Sequence, residues 1–199
     1  MLTKTQNKIM QLFVSQLTRR FTLRGVGKEL GVHQALAYRA GRQLIKEGLI
    51  IKDDNSYVLN YKRNHQELAY FEHQRAKEFF SKPSNRTLAI FAEEVVEKFP
   101  YGYFVFLIFG SATESEKPRD IDVLFIIERT EDIETAEKAL YNISRNYTLK
   151  LHTIVVSFES VFEMIGSRDE KNVMNEVLNK HLIVYGAELF YKLIKRGRK

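Results

Sequence analysis

Between Phe104 and Ile127 the chain reads FVFLIFGSATESEKPRDIDVLFII. An apolar run ends at Gly110-Ser111, a short polar loop follows, and Asp120 and Asp122 stand at the head of a second apolar run. The first run suits a strand buried on both faces, and the second has the same character. Strand side chains alternate, so Asp120 and Asp122 are expected on one side, roughly 6–7 Å apart at the Cβ level. Two such carboxylates can hold Mg²⁺, which accepts a few protein oxygens and completes its shell with substrate phosphate. Gly110 lets the backbone approach a phosphate, and the Ser111 hydroxyl can donate to one. The plainer alternative is a surface turn beside two solvated acids. Two aspartates at the head of a buried strand are costly unless they bind something, which favours a nucleotide site.

The segment resembles the signature of the polymerase β-like nucleotidyltransferases, in their small minimal branch: apolar strand, Gly-Ser, loop, Asp-apolar-Asp, apolar strand. The resemblance covers residues 85–195. It implies that Gly110 and Ser111 bind a nucleoside triphosphate, with ATP the first candidate, and that Asp120 and Asp122 are catalytic residues holding Mg²⁺. The metals would support in-line attack of an acceptor hydroxyl on the α-phosphate, with release of pyrophosphate.

The sequence departs from that pattern in two places. The loop from Ala112 to Arg119 is short and lacks a second glycine. The next expected strand, Leu149 to Val156, carries no Asp or Glu where the family places a third carboxylate. His152 stands near that position. It reads first as a half-buried strand residue with a satisfied ring and second as a base. Glu128 and Glu159 lie too far along their strands, whereas Glu114 and Glu116 could reach in from the loop.

A positioning scaffold precedes this segment. Helices are expected over 5–17, 23–30 and 34–47, with Thr22 as an N-cap and Gly31 and Gly48 as stops. Leu49-Ile50-Ile51 and Tyr57-Val58-Leu59 flank a turn and read as a hairpin. Three helices and a hairpin, with the string GKELGVHQALAYRAGRQLIKEGLI, resemble a winged helix-turn-helix. On the third helix Ala37, Ala40, Gly41 and Leu44 would face inward. Gln34, Tyr38, Arg39 and Arg42 would face double-stranded DNA, with Gln suited to adenine edges and Arg to guanine or phosphate. His33 at the helix start could leave backbone N–H groups for a phosphate. Arg19, Arg20, Arg24 and Lys28 add charge nearby. The acidic tip, Asp53-Asp54, should stand off from phosphates.

Charge supports the division. Residues 1–65 hold 12 Lys+Arg against 4 Asp+Glu, a net +8, whereas the whole chain nets +6. All the excess positive charge lies in the first third, which points to a polyanionic partner there. The expected organisation is α+β: a winged helix over 1–62, a helical connector over 63–84, and a nucleotidyltransferase-like mixed sheet with helices over 85–199. Further helices are expected near 66–81, 86–98, 159–166 and 169–180, a strand at 181–185, and a final helix with a basic end at Arg196, Arg198 and Lys199.

Of 199 residues, 44% are hydrophobic and none is cysteine, which excludes disulfides and thiolate chemistry. No signal-like apolar core opens the chain and no stretch suits a membrane span, so a cytoplasmic protein without a membrane partner is expected. A homodimer would match paired DNA half-sites. Two functions stay open. One is Mg²⁺-dependent transfer of a nucleotidyl group to an acceptor, such as a partner protein in an antitoxin-like pair. The other is a non-enzymatic transcription regulator whose nucleotidyltransferase-like domain binds nucleotide or dimerises.

Overall fold

The computed structural model describes residues 2–115, 118–167 and 172–197. The fold is α+β, with a two-stranded hairpin and a separate four-stranded mixed sheet. No helix among the described residues is long and apolar enough to cross a membrane.

Three helices open the chain: α1 (Lys4–Ser15), α2 (Leu23–Glu29) and α3 (Gln34–Lys46). Thr3 caps α1 through a capping box with Gln6, and the Thr22 side chain accepts from the Gly25 N–H. β1 (Ile50–Asp53) and β2 (Ser56–Leu59) pair antiparallel around Asp54-Asn55, and Phe21 bridges to Tyr57. On α3 the buried residues are Ala37, Ala40, Gly41 and Leu44, at helical spacing. A side chain at Gly41 would collide with Leu23, so the glycine sets how closely α2 and α3 approach.

The connector is α4 (His65–Phe80), followed by α5 (Arg86–Lys98). β3 (Phe104–Phe109) is buried along its whole length. It lies between β4 (Ile121–Ile127) and β6 (His181–Tyr185), antiparallel to both, and β4 runs parallel to β5 (Leu151–Ser157). The strand order is β5-β4-β3-β6. The parallel pair needs a crossover, and α6 (Ile133–Ser144) provides it. No expectation covered α6, although Ala136, Leu140 and Ile143 bury one of its faces. α7 (Phe158–Gly166), α8 (Val173–Val177) and α9 (Ala187–Gly197) complete the chain. The helix expected over 169–180 is thus five residues long within the described region. Arg198 and Lys199 of the expected basic end lie outside it.

Two cores sandwich the sheet. Phe106, Ile108, Val123 and Phe125 pack against α5 and α6 through Phe91, Val95 and Leu140. Val105, Leu107, Leu124 and Ile126 face the opposite way. Their core also contains Phe13, Leu44 and Ile50 from the first 62 residues, Leu68 and Phe71 from α4, and Phe190 and Tyr191 from α9. One continuous core therefore joins the basic first third to the sheet.

Inside it sits a charged network. Glu72 on α4 is fully buried; it accepts from Tyr191 Oη at 2.8 Å, lies 3.2 Å from His181 Nε2, and pairs with Arg75 at 2.6 Å. Arg75 also donates to the His181 carbonyl at 2.5 Å. Burial alone would raise the Glu72 pKa, but Arg75 and His181 together hold it below the ordinary carboxylate range. Burial and the Glu72 charge push the Tyr191 phenol well above its usual value.

Candidate functional site

β3 ends where Gly110 takes a φ of +67° and starts a short 3₁₀ turn, Gly110–Thr113. The turn is tied down locally: Thr113 Oγ1 donates to the Gly110 carbonyl at 2.8 Å, and the Ser115 N–H donates to the Ser111 carbonyl at 3.0 Å. Ser111 is exposed. From behind, the Gly110 N–H donates to the Lys180 carbonyl at 3.2 Å.

Asp122 stands opposite Phe109 in the β3–β4 ladder, beside this turn. A Cβ placed on Gly110 would lie 3.1 Å from Asp122 Oδ2 and 3.2 Å from Glu176 Oε1. Two carboxylates from different elements thus converge on the bare Cα of one glycine. Glu176 comes from α8, which the Asn172 side chain caps at the Asn175 N–H. Spacing along strands offers no route to Glu176, because the residue reaches the site from a helix packed over the sheet. Glu176 is an exposed residue.

His152 faces Asp122 across the parallel β4–β5 pair, and its Nδ1 lies 3.1 Å from Asp122 Oδ1. Its side chain is 69% exposed and that of Asp122 is 27% exposed, so the His152 ring has a partner, as in the first expectation, but is not half-buried. It belongs to the site. A recess of about 370 Å³ collects Phe109, Asp122, His152, Asn172 and Glu176.

Asp120 precedes the strand. β4 begins at Ile121, whose N–H bonds the Lys150 carbonyl, and pairing with β3 stops at Asp122 because Gly110 turns that strand away. Strand alternation therefore does not extend to Asp120. It is exposed and borders a different recess, about 460 Å³, with Asn85, Thr87, Arg119 and Lys150. Of the four residues expected at the nucleotide site, the structure brings Gly110 and Asp122 into contact range, leaves Ser111 adjacent in the turn, and has Asp120 just before β4, lining the neighbouring recess. Of the loop acids, Glu114 is engaged by Lys180 at 3.0 Å and Glu116 lies outside the described residues.

No group of three or more His, Asp and Glu side chains among the described residues is arranged to hold a metal ion alone. The donor set at Gly110, two carboxylates on an open turn, suits a cation that takes its remaining oxygens from a phosphate ligand and from water. That is the habit of Mg²⁺.

The second candidate surface is α3. Gln34, Tyr38, Arg39 and Arg42 are all exposed and lie outside its buried stripe. The nearby cations divide into two sets. Arg19 forms a bidentate pair with Glu29 at 2.8 and 2.9 Å and covers the Phe21 ring at 4.7 Å. Arg20 pairs with Asp53 at 2.9 Å, which accounts for the acidic hairpin tip as an internal partner. Arg24, Lys28, Arg39 and Arg42 are exposed and form no ion pair with another described residue. At the start of α3 the His33 ring accepts from the Ala35 N–H at 3.3 Å, so one of the N–H groups expected for phosphate is already occupied.

No family model, no curated protein and no solved structure matches the chain.

Proposed function

We propose that the chain is a DNA-associated, Mg²⁺-dependent nucleotidyltransferase in which a winged helix-turn-helix is joined to a minimal nucleotidyltransferase-like domain. The observation that carries the nucleotide half is the convergence of Asp122 and Glu176 on Gly110 at the end of a fully buried strand. The bare Cα of the positive-φ glycine lets both carboxylates close on the turn, and exposed Ser111 beside them offers a hydroxyl donor to a phosphate. Asp122 and Glu176 would hold Mg²⁺, which neutralises phosphate charge and polarises the α-phosphate when bound. His152 braces Asp122 through Oδ1, leaving Oδ2 directed at the turn. Its exposed ring is also placed to accept the proton of an acceptor hydroxyl that approaches from solvent. An exposed turn of this kind admits a large acceptor, such as a protein.

One observation favours a second reading. Asp120 borders a recess other than the one that collects Asp122 and Glu176. The turn would then bind a nucleotide without transferring it, and the protein would act as a regulator on DNA. The DNA half of both readings rests on exposed Arg24, Lys28, Arg39 and Arg42, which pair with no other described residue, and on exposed Gln34 and Tyr38.

Incubation with α-³²P-labelled ATP, Mg²⁺ and candidate protein or RNA acceptors distinguishes the two. Transfer that is lost in Asp122→Ala and Glu176→Ala supports the enzyme. Saturable binding of ATP·Mg²⁺ without transfer under any condition supports the regulator. Absence of binding, with the fold intact by circular dichroism, overturns both.

A further inference from the structure

Residues 176–181 join α8 to β6 and touch three parts of the molecule at once. Towards the turn, Glu176 Oε1 faces Gly110, the Lys180 carbonyl accepts the Gly110 N–H at 3.2 Å, and Lys180 Nζ pairs with Glu114 at 3.0 Å. Towards the first module, the Leu178 carbonyl accepts the Leu17 N–H at 2.8 Å. The Asn179 side chain accepts from the Thr18 N–H at 3.1 Å and from Thr18 Oγ1 at 2.7 Å. Towards the connector, His181 meets buried Glu72 and Arg75. The path continues from Thr18. Its neighbour Arg19 is clamped to Glu29 on α2, and α2 packs on α3 through Leu23 and Gly41.

We propose that double-stranded DNA on α3 and a nucleoside triphosphate at Gly110 bind with mutually reinforced affinity, through this six-residue bridge. The inference rests on the function proposed above and adds its regulation. A ligand seated against Gly110 and Glu176 holds the bridge in the position that Leu17 and Thr18 require. DNA seated on α3 holds those residues in the position that the bridge requires. Both ligands select one docked state, so the linkage is positive, and thermodynamics makes it equal in both directions. The contacts at Thr18 are polar and involve few atoms, so this joint can be cut without opening the apolar core.

The test uses the full chain, a fluorescein-labelled random-sequence 40-base-pair duplex pool, and ATP with Mg²⁺. The Kd for DNA is measured with and without saturating ATP·Mg²⁺, and the Kd for ATP with and without saturating duplex. The expected result is a tightening of at least about five-fold, the same in both directions. In Asn179→Ala, and independently in Thr18→Val, each ligand should bind alone as in the unaltered protein while the tightening falls to near unity. Thermal unfolding of both variants checks that the fold is retained, and Thr18→Val keeps the side-chain volume should Asn179→Ala unfold. Affinities that ignore the other ligand, a weakening, or a tightening that survives both variants would each overturn the bridge. Failure of either ligand to bind alone instead overturns the underlying function, and the linkage with it.

Discussion

Replacing Arg39 and Arg42 together with alanine separates the cations that face solvent from those already paired. Each Lys or Arg that neutralises a DNA phosphate releases counterions and contributes about −0.9 to the slope of log K against log salt. If Arg24, Lys28, Arg39 and Arg42 all meet phosphate, the slope is about −3.6, a loss of about 150-fold in affinity between 50 and 200 mM salt. The double variant should keep a slope of about −1.8, a loss of about 12-fold over the same range. The control is Arg19→Ala/Glu29→Ala, which removes a bidentate pair without changing net charge. Its slope should equal that of the unaltered protein. Fluorescence anisotropy of a labelled duplex at five salt concentrations measures all three. None of these side chains is buried, so melting temperatures should move little. Equal slopes for the unaltered protein and the double variant, or a control that flattens as much as the double variant does, would refute the assignment of α3 as the DNA face.

At the turn, Gly110→Ala places a methyl 3.1–3.2 Å from two carboxylate oxygens at a φ of +67°. The left-handed conformation alone costs about 1–2 kcal/mol, and nucleotide binding should be lost while the fold persists, as calorimetry with ATP·Mg²⁺ and circular dichroism would show. Glu72→Gln should destabilise the protein by about 3–5 kcal/mol in denaturant titrations, because it strands Arg75 beside a neutral buried side chain. The Glu72 pKa is lowered on folding from an ordinary 4.5. Its stabilisation is therefore full above that value and is lost as pH falls through the folded-state pKa, so stability should fall more steeply below about pH 4.5 in the unaltered protein than in Glu72→Gln. Tyr147 donates to Glu94, and that hydrogen bond, with burial and the Glu94 charge, pushes its phenol up to about 12. In an alkaline titration at 295 nm, Tyr147 and Tyr191 should ionise last. Tyr147→Phe should remove one late component, and an unchanged curve would contradict the contact.

The elements that local pattern specifies were largely readable. The stripe of Ala37, Ala40, Gly41 and Leu44 marked the inner face of α3, and the unbroken apolar run from Phe104 to Phe109 marked a strand covered on both sides. The site was readable only in part. Gly110 and Asp122 lie at strand ends, where period-two reasoning works. Asp120 lies one residue before β4, where the ladder that would fix its direction has stopped. Glu176 arrives on a five-residue helix 54 positions after Asp122, and its approach depends on how α8 rests over the sheet. Arg19 and Arg20 looked equivalent to Arg39 and Arg42 by charge, and only the positions of Glu29 and Asp53 separate them. α6 buries Ala136, Leu140 and Ile143 at regular helical spacing within an otherwise charged stretch, which leaves its apolar face short.

The buried carboxylate of α4 has a consequence for synthesis. Glu72 leaves the ribosome with Arg75 close behind it, but His181 and Tyr191 follow more than a hundred residues later. Until they arrive, the nascent chain holds an anion that cannot be buried without its full set of partners, on the same helix as Leu68 and Phe71. The apolar side of the early helices meets the same delay, because Phe190 and Tyr191 belong to its core. At about 5–20 residues per second, the first two-fifths of the chain waits several seconds or more for the segment that seals it. A nascent chain stalled before α9 should therefore be protease-sensitive throughout, and one released past Gly197 should become resistant in a single step.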